Sequence, residues 1–142
     1  AREDGWEIYG TELSLQCIRI AKEEYQIDTI HFGPIRTFSF QRFDAIVLWN
    51  VLEHLYHPFD EVSYLTNLLK MRGTFLLKVP NHTAETLQKF PMLPEHVYNF
   101  NPTSLKYLFN RLGCKIVEEI DGFDDGELND KIPTLVVVAI KK

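Results

Sequence analysis

The sequence predicts an α/β domain, a mostly parallel sheet flanked by helices and ending in an antiparallel hairpin. Three observations carry that prediction. Short apolar runs alternate with helical periodicities in the order β-α-β-β-α-β-α-β-β. One run, Phe43–Leu48, is almost continuously apolar, the pattern of a strand buried on both faces of a parallel sheet. The last two runs, Cys114–Ile120 and Leu135–Ile140, follow each other with no helix between them, which makes them a hairpin.

Each element has a local reason. Trp6–Thr11 is a short extended run, and Ser14 has the side chain of an N-cap. Cys17, Ile18, Ala21 and Tyr25 then recur on one helical face. Thr29–Phe32 is a second strand, closed by Gly33-Pro34. Pro58 suits the first turn of a helix whose buried face is Val62, Leu65, Leu68 and Leu69, and Gly73 is expected to end it. Thr74–Val79 is a strand stopped by Pro80-Asn81, and an irregular stretch follows from His82 to Phe100. Asn101-Pro102 pairs an N-cap with proline at N1, Leu105, Leu108, Phe109 and Leu112 form one face, and Gly113 stands at C′.

Composition narrows the function classes. The 142 residues, 45% of them hydrophobic and 25% charged, fit one globular domain. A net charge of −5 argues against a dedicated nucleic-acid binder, which needs a basic field. Two cysteines make neither a disulfide scaffold nor a zinc site and suit a reducing cytoplasm. No apolar run approaches the roughly 20 residues of a membrane span, and the N-terminus has no signal-like apolar region. Asp121–Gly126 lacks calcium-loop spacing and reads as an acidic hairpin connection.

The chemistry-bearing segment runs from Phe43 to Pro58 and contains Asn50-Val51-Leu52-Glu53-His54. Leu69-Lys70-Met71-Arg72-Gly73-Thr74-Phe75-Leu76, Val79-Pro80-Asn81 and Pro94-Glu95-His96-Val97-Tyr98-Asn99-Phe100 follow it. Tyr9-Gly10-Thr11-Glu12-Leu13-Ser14 precedes it. In this order, over nearly the whole chain, these segments resemble class I S-adenosylmethionine-dependent methyltransferases, in particular a subgroup acting on small molecules. The resemblance implies a Rossmann-like sheet, S-adenosylmethionine as cofactor and a small-molecule acceptor.

Residue by residue, the resemblance implies that Glu12 receives the ribose hydroxyls, with Leu13 beside it. A carboxylate at the end of a strand of a nucleotide-binding sheet can accept two such bonds. Equally, a glutamate before a helix complements the helix dipole. Ile35 would pack on adenine, although Pro34 stands where the family often carries an aspartate. Asn50, Val51, Glu53 and His54 would run along the methionine part of the cofactor and face the acceptor. A related branch acting on quinones has a glutamate in place of Asn50 and is associated with a divalent metal. With one carboxylate and one histidine left in this loop, no metal is expected. His96 and His54 are the candidate catalytic residues, because a hydroxyl acceptor needs a base and imidazole serves at neutral pH. O-methylation is therefore favoured, on the strength of Glu53-His54 and Glu95-His96.

The family's Gly-x-Gly-x-Gly loop has no counterpart, since no two of the seven glycines are separated by a single residue. The chain is thus expected to be a methyltransferase domain without its first strand. In the family's sheet order, 3-2-1-4-5-7-6, that strand lies in the middle. Three outcomes are open: the flanking strands pair with each other, two chains associate as a homodimer through the gap, or a further segment completes the sheet. Weak binding of S-adenosylmethionine by this chain is expected. A degenerate interaction module of the same fold is the alternative, and a dehydrogenase is a more distant one.

Overall fold

In a computed structural model of the chain, the described residues are 2–39, 41–81, 83, 93–122 and 133–142. They fall into two compact units, Ala1–Phe40 and Gln41–Lys142.

The first unit holds strand β1 (Gly10–Glu12), helix α1 (Leu15–Glu23) and strand β2 (Ile30–Phe32). β1 and β2 pair in parallel, with Gly10, Thr11 and Glu12 opposite Ile30, His31 and Phe32. The strand expected over Trp6–Thr11 is thus shorter and shifted, because a strand extends only as far as its partner offers backbone groups. The Thr29 hydroxyl, donating to the Ile8 carbonyl, ties the preceding segment down. Ser14 caps α1 as expected, its hydroxyl accepting from the Cys17 amide at 3.3 Å. None of the α1 side chains is fully buried; Ile18 and Ala21 are half-buried and Cys17 is exposed, while Tyr25, also exposed, lies beyond the end of the helix. Among the described residues of this unit Phe38 is the buried one, met edge-on by Tyr9 and His31.

The second unit is built on strands β3 (Phe43–Trp49), β4 (Leu69–Pro80), β5 (Cys114–Asp121) and β6 (Thr134–Lys141), in sheet order β3-β4-β6-β5. β3 is parallel to β4, and β6 lies antiparallel between β4 and β5. The element order is the expected one, including the hairpin. Its connection beyond Gly122 lies outside the described residues. Among the described residues β1 pairs with β2, and β3 with β4.

Helix α2 (Pro58–Leu68) begins at proline and buries Val62, Leu65 and Leu68 as expected. Its end is a correction. The chain turns into β4 at Leu69, and Gly73 sits buried inside that strand. A Cβ on Gly73 would stand 2.8 Å from Leu69 Cγ and 2.9 Å from the Lys70 carbonyl oxygen, so the glycine serves close approach within the strand. The register supports this, with Phe43 opposite Leu69 but Ala45 opposite Thr74, so that residues 70–73 bulge. Lys141 Nζ donates to the Thr66 and Leu69 carbonyls at 2.7 and 2.9 Å, satisfying the end of α2.

Helix α3 (Pro102–Arg111) carries a reciprocal capping box, Asn101 Oδ1 accepting from the Ser104 amide and Ser104 Oγ from the Asn101 amide. Leu105, Leu108 and Phe109 are buried, with Phe109 edge-on to Phe75 at 5.4 Å, and Gly113 takes φ 69° after the helix. β3 departs from its expectation. Ile46 and Leu48 are buried, whereas Val47 on the opposite face is 55% exposed, so one face of this strand is covered and the other is largely open.

Candidate functional site

The carboxyl end of β3 is where an open parallel sheet leaves room for a ligand. Asn50 follows the strand in the left-handed region, φ 52°, and its amide donates to the Lys78 carbonyl at 3.0 Å. Val51 then leads into a single 3-10 turn, Leu52–His54, closed by the His54 amide donating to the Val51 carbonyl. Leu52 and Glu53 point inward, and His54 reaches the surface.

A second segment locks onto this turn. The Glu53 carbonyl accepts from the amides of Val97 and Tyr98 at 2.8 and 3.2 Å. His54 Nδ1 meets the Glu95 carbonyl at 3.0 Å, and the Tyr98 hydroxyl donates to the Tyr56 carbonyl. His96 is thereby carried in beside His54, ring centroids 4.9 Å apart and nearly perpendicular. Each of Glu53, His54 and His96 offers a ligand atom within 4.8 Å of the others'. The sequence treated Glu53-His54 and Glu95-His96 as separate pairs. The structure joins one pair to the histidine of the other, while Glu95 contributes its backbone carbonyl.

The electrostatics are asymmetric. Glu53 is 1% exposed, and among the described residues neither carboxylate oxygen accepts a hydrogen bond. Burial therefore holds its carboxyl above the usual value near 4.5, opposed by its own backbone N–H and by the charges of His54 and Lys78. His96 moves the other way: burial first, then the neighbouring His54, hold its imidazole below the usual 6.5, with Glu95 opposing. The shift favours the neutral ring at pH 7. A carbonyl only accepts, so His54 Nδ1 carries the hydrogen, and Nε2 faces Glu53 Oε1 at 3.9 Å.

Lys78, missed from sequence, belongs to these surroundings. It is buried, lies opposite Trp49 in the β3–β4 register, and its Nζ sits 5.1 Å from the Trp49 ring centroid. A lysine within the apolar run Leu76-Leu77-Lys78-Val79 was the available signal.

The first unit holds the remaining candidates. Glu12 Oε1 accepts from the Leu13 and Ser14 amides, both at 2.7 Å. One carboxylate oxygen thus complements the start of α1, as the dipole reading has it. The other accepts no hydrogen bond among the described residues. Leu13 is exposed, and Ile35 is half-buried at the head of the 3-10 turn Ile35–Thr37.

A methyltransferase-domain family profile matches residues 1–119. The chain belongs to that family. Solved structures similar to this methyltransferase domain cover nearly all of it at low identity. The magnesium protoporphyrin IX methyltransferase of Synechocystis PCC 6803, with bound S-adenosylhomocysteine, aligns at 15% identity and TM-score 0.74, over 99% of this chain and 66% of that one. A Methanosarcina mazei S-adenosylmethionine-dependent methyltransferase aligns at 16% and 0.77, over 97% and 83%. The 1,6-didemethyltoxoflavin-N1-methyltransferase of Burkholderia thailandensis aligns at 16% and 0.74, over 99% and 64%. The domain thus spans about two thirds of the length of two of these relatives. No curated protein sequence matches it. The Rossmann-like α/β class and the methyltransferase resemblance are borne out, and S-adenosylmethionine is the cofactor of the family. Among the described residues no helix is long and apolar enough to cross a membrane.

Proposed function

We propose that this methyltransferase domain transfers a methyl group from S-adenosylmethionine to a small-molecule acceptor, with oxygen as the favoured atom. The observation carrying the reading is the convergence of Glu53, His54 and His96 at the carboxyl end of β3. S-adenosylmethionine, when bound, supplies a methyl on a sulfonium leaving group. Glu12 would hold its ribose through the oxygen that α1 does not use. Leu13 and Ile35 would offer apolar contact, while Asn50, Val51 and Glu53 would line the loop along the cofactor.

On the acceptor side, a neutral imidazole at His96 takes the hydroxyl proton as the oxygen attacks the methyl carbon. Burial supports this role by keeping the lone pair available at pH 7. His54, oriented through the Glu95 carbonyl, is the second imidazole beside the acceptor. Positioning and exclusion of water are the remaining protein contributions. The net charge of −5 favours a small acceptor over nucleic acid. A cytoplasmic setting and a homodimer through the sheet gap that the absent first strand leaves, tested by sedimentation, belong to the same proposal.

The test is methyl transfer from deuterated S-adenosylmethionine at millimolar concentration to a panel of phenols, catechols and heteroaromatic amines, read by mass spectrometry. Labelled methyl ethers are the expected products. Labelled N-methyl products alone would overturn the choice of oxygen. An absence of any transfer across the panel, with the protein folded, would favour the non-catalytic module.

A further inference from the structure

We infer that Glu53, His54 and His96 form a binding site for one divalent transition-metal ion of the Zn2+, Co2+ or Ni2+ type. The loop sequence alone presents one carboxylate and one histidine, and the structure adds His96 from 42 residues beyond His54. Three observations carry the inference.

The first is the buried carboxylate. Glu53 is 1% exposed, and no described donor stands in hydrogen-bonding geometry with either oxygen. Its own backbone N–H and the nearby His54 and Lys78 offset burial only in part, and a carboxylate so placed takes up a cation or a proton.

The second is the facing nitrogen. His54 gives its Nδ1 hydrogen to the Glu95 carbonyl, so that in the neutral ring the Nε2 lone pair is turned toward Glu53 Oε1 at 3.9 Å. A shared proton does not span that distance, because such bonds close at about 2.7–3.2 Å. An ion with bonds of about 2.0–2.2 Å to nitrogen and oxygen does. A ligating imidazole commonly has its other nitrogen fixed by a backbone carbonyl, as here.

The third is the ligand set. The three donor atoms lie within 4.8 Å of one another, where ligands around a tetrahedral ion stand about 3.4 Å apart. The closure needed is at most about 1.4 Å, within reach of side-chain rotation. Two imidazoles and one carboxylate suit borderline ions over Mg2+, which prefers oxygen ligands and retained water.

Binding occupies the imidazole lone pairs, so a bound ion and a free His96 base exclude each other. This consequence, though not the ion site itself, rests on the proposed function.

The test is titration of the chelator-treated protein with Zn2+ by calorimetry and with Co2+ by visible absorption, with Mg2+ as comparison. One-to-one Zn2+ binding at micromolar or tighter dissociation constants is expected, with a Co2+ spectrum of low coordination number. His54→Gln, His96→Gln and Glu53→Gln should each weaken binding about tenfold or more. His54 is partly exposed, so H54Q retains the fold and its circular dichroism checks that. No binding by the unsubstituted protein at about 100 μM Zn2+ would overturn the inference, as would binding that all three variants leave unchanged. Zn2+ that binds and suppresses methyl transfer supports both proposals. Zn2+ that binds and accelerates transfer supports the ion site and removes His96 as the base.

Discussion

Replacing Glu53 by glutamine in the metal-free protein isolates the cost of its buried carboxylate. The carboxyl is held above its usual value near 4.5 by burial, with no hydrogen bond from a described residue to either oxygen. The sign follows by linkage. Below pH 4.5 the group is protonated in both folded and unfolded chains and costs nothing extra. As pH rises, the unfolded chain releases the proton first, and stability falls by up to about 1.4 kcal/mol per pH unit. The fall ends once pH passes the folded carboxyl's own value. Glutamine does not titrate, and its amide adds only a pH-independent offset of about 1–3 kcal/mol for imperfect pairing. The stability difference between E53Q and the parent should therefore drift in favour of glutamine as pH rises through 4.5, and level off once pH passes the folded carboxyl's own value. His96, whose value is lowered, contributes the opposite trend, its stability being lost as pH falls, but it is present in both proteins. The assay is urea unfolding followed by tryptophan fluorescence, with chelator present, at each pH. A difference that stays constant from pH 4 to pH 8 would show that burial does not raise this carboxyl.

Three further predictions concern the scaffold. Asn101→Ala removes the side chain that caps α3 in its reciprocal box, and should cost about 1 kcal/mol in urea unfolding; a neutral result would contradict the capping assignment. Gly73→Ala puts a methyl against the Leu69 side chain and the Lys70 carbonyl, and about 1–3 kcal/mol of destabilisation is expected in the same assay. Cys17 is exposed, whereas Cys114 is buried with its thiol pushed up by desolvation. A maleimide should therefore label one site in the native protein and two after unfolding; labelling of Cys114 in the native state would count against this packing.

Much of the fold was legible because its signals are local. Asn101-Pro102 and Gly113 bracket α3, Pro58 starts α2, and Ser14 caps α1. The failures occur where tertiary contact decides. Gly73 looks like a helix stop, but its role is close approach inside a strand, and only the Leu69 and Lys70 neighbours reveal that. The run Phe43–Leu48 carries the composition of a doubly covered strand, yet Val47 is largely exposed. At the site, Glu53, His54 and His96 were each visible as residue types. Their union depends on the Glu53 carbonyl receiving the Val97 and Tyr98 amides, a backbone event that side-chain spacing does not encode. Lys78 stood out in its apolar run, but its pairing with Trp49 needed the β3–β4 register.

The proposed chemistry turns on an imidazole at this site taking the acceptor's proton. Its most direct test is the turnover of His96→Gln measured beside its S-adenosylmethionine affinity, with Zn2+ removed by chelator. Turnover should fall about 10²- to 10⁴-fold, with cofactor affinity unchanged. Unchanged turnover in a folded H96Q protein would contradict it.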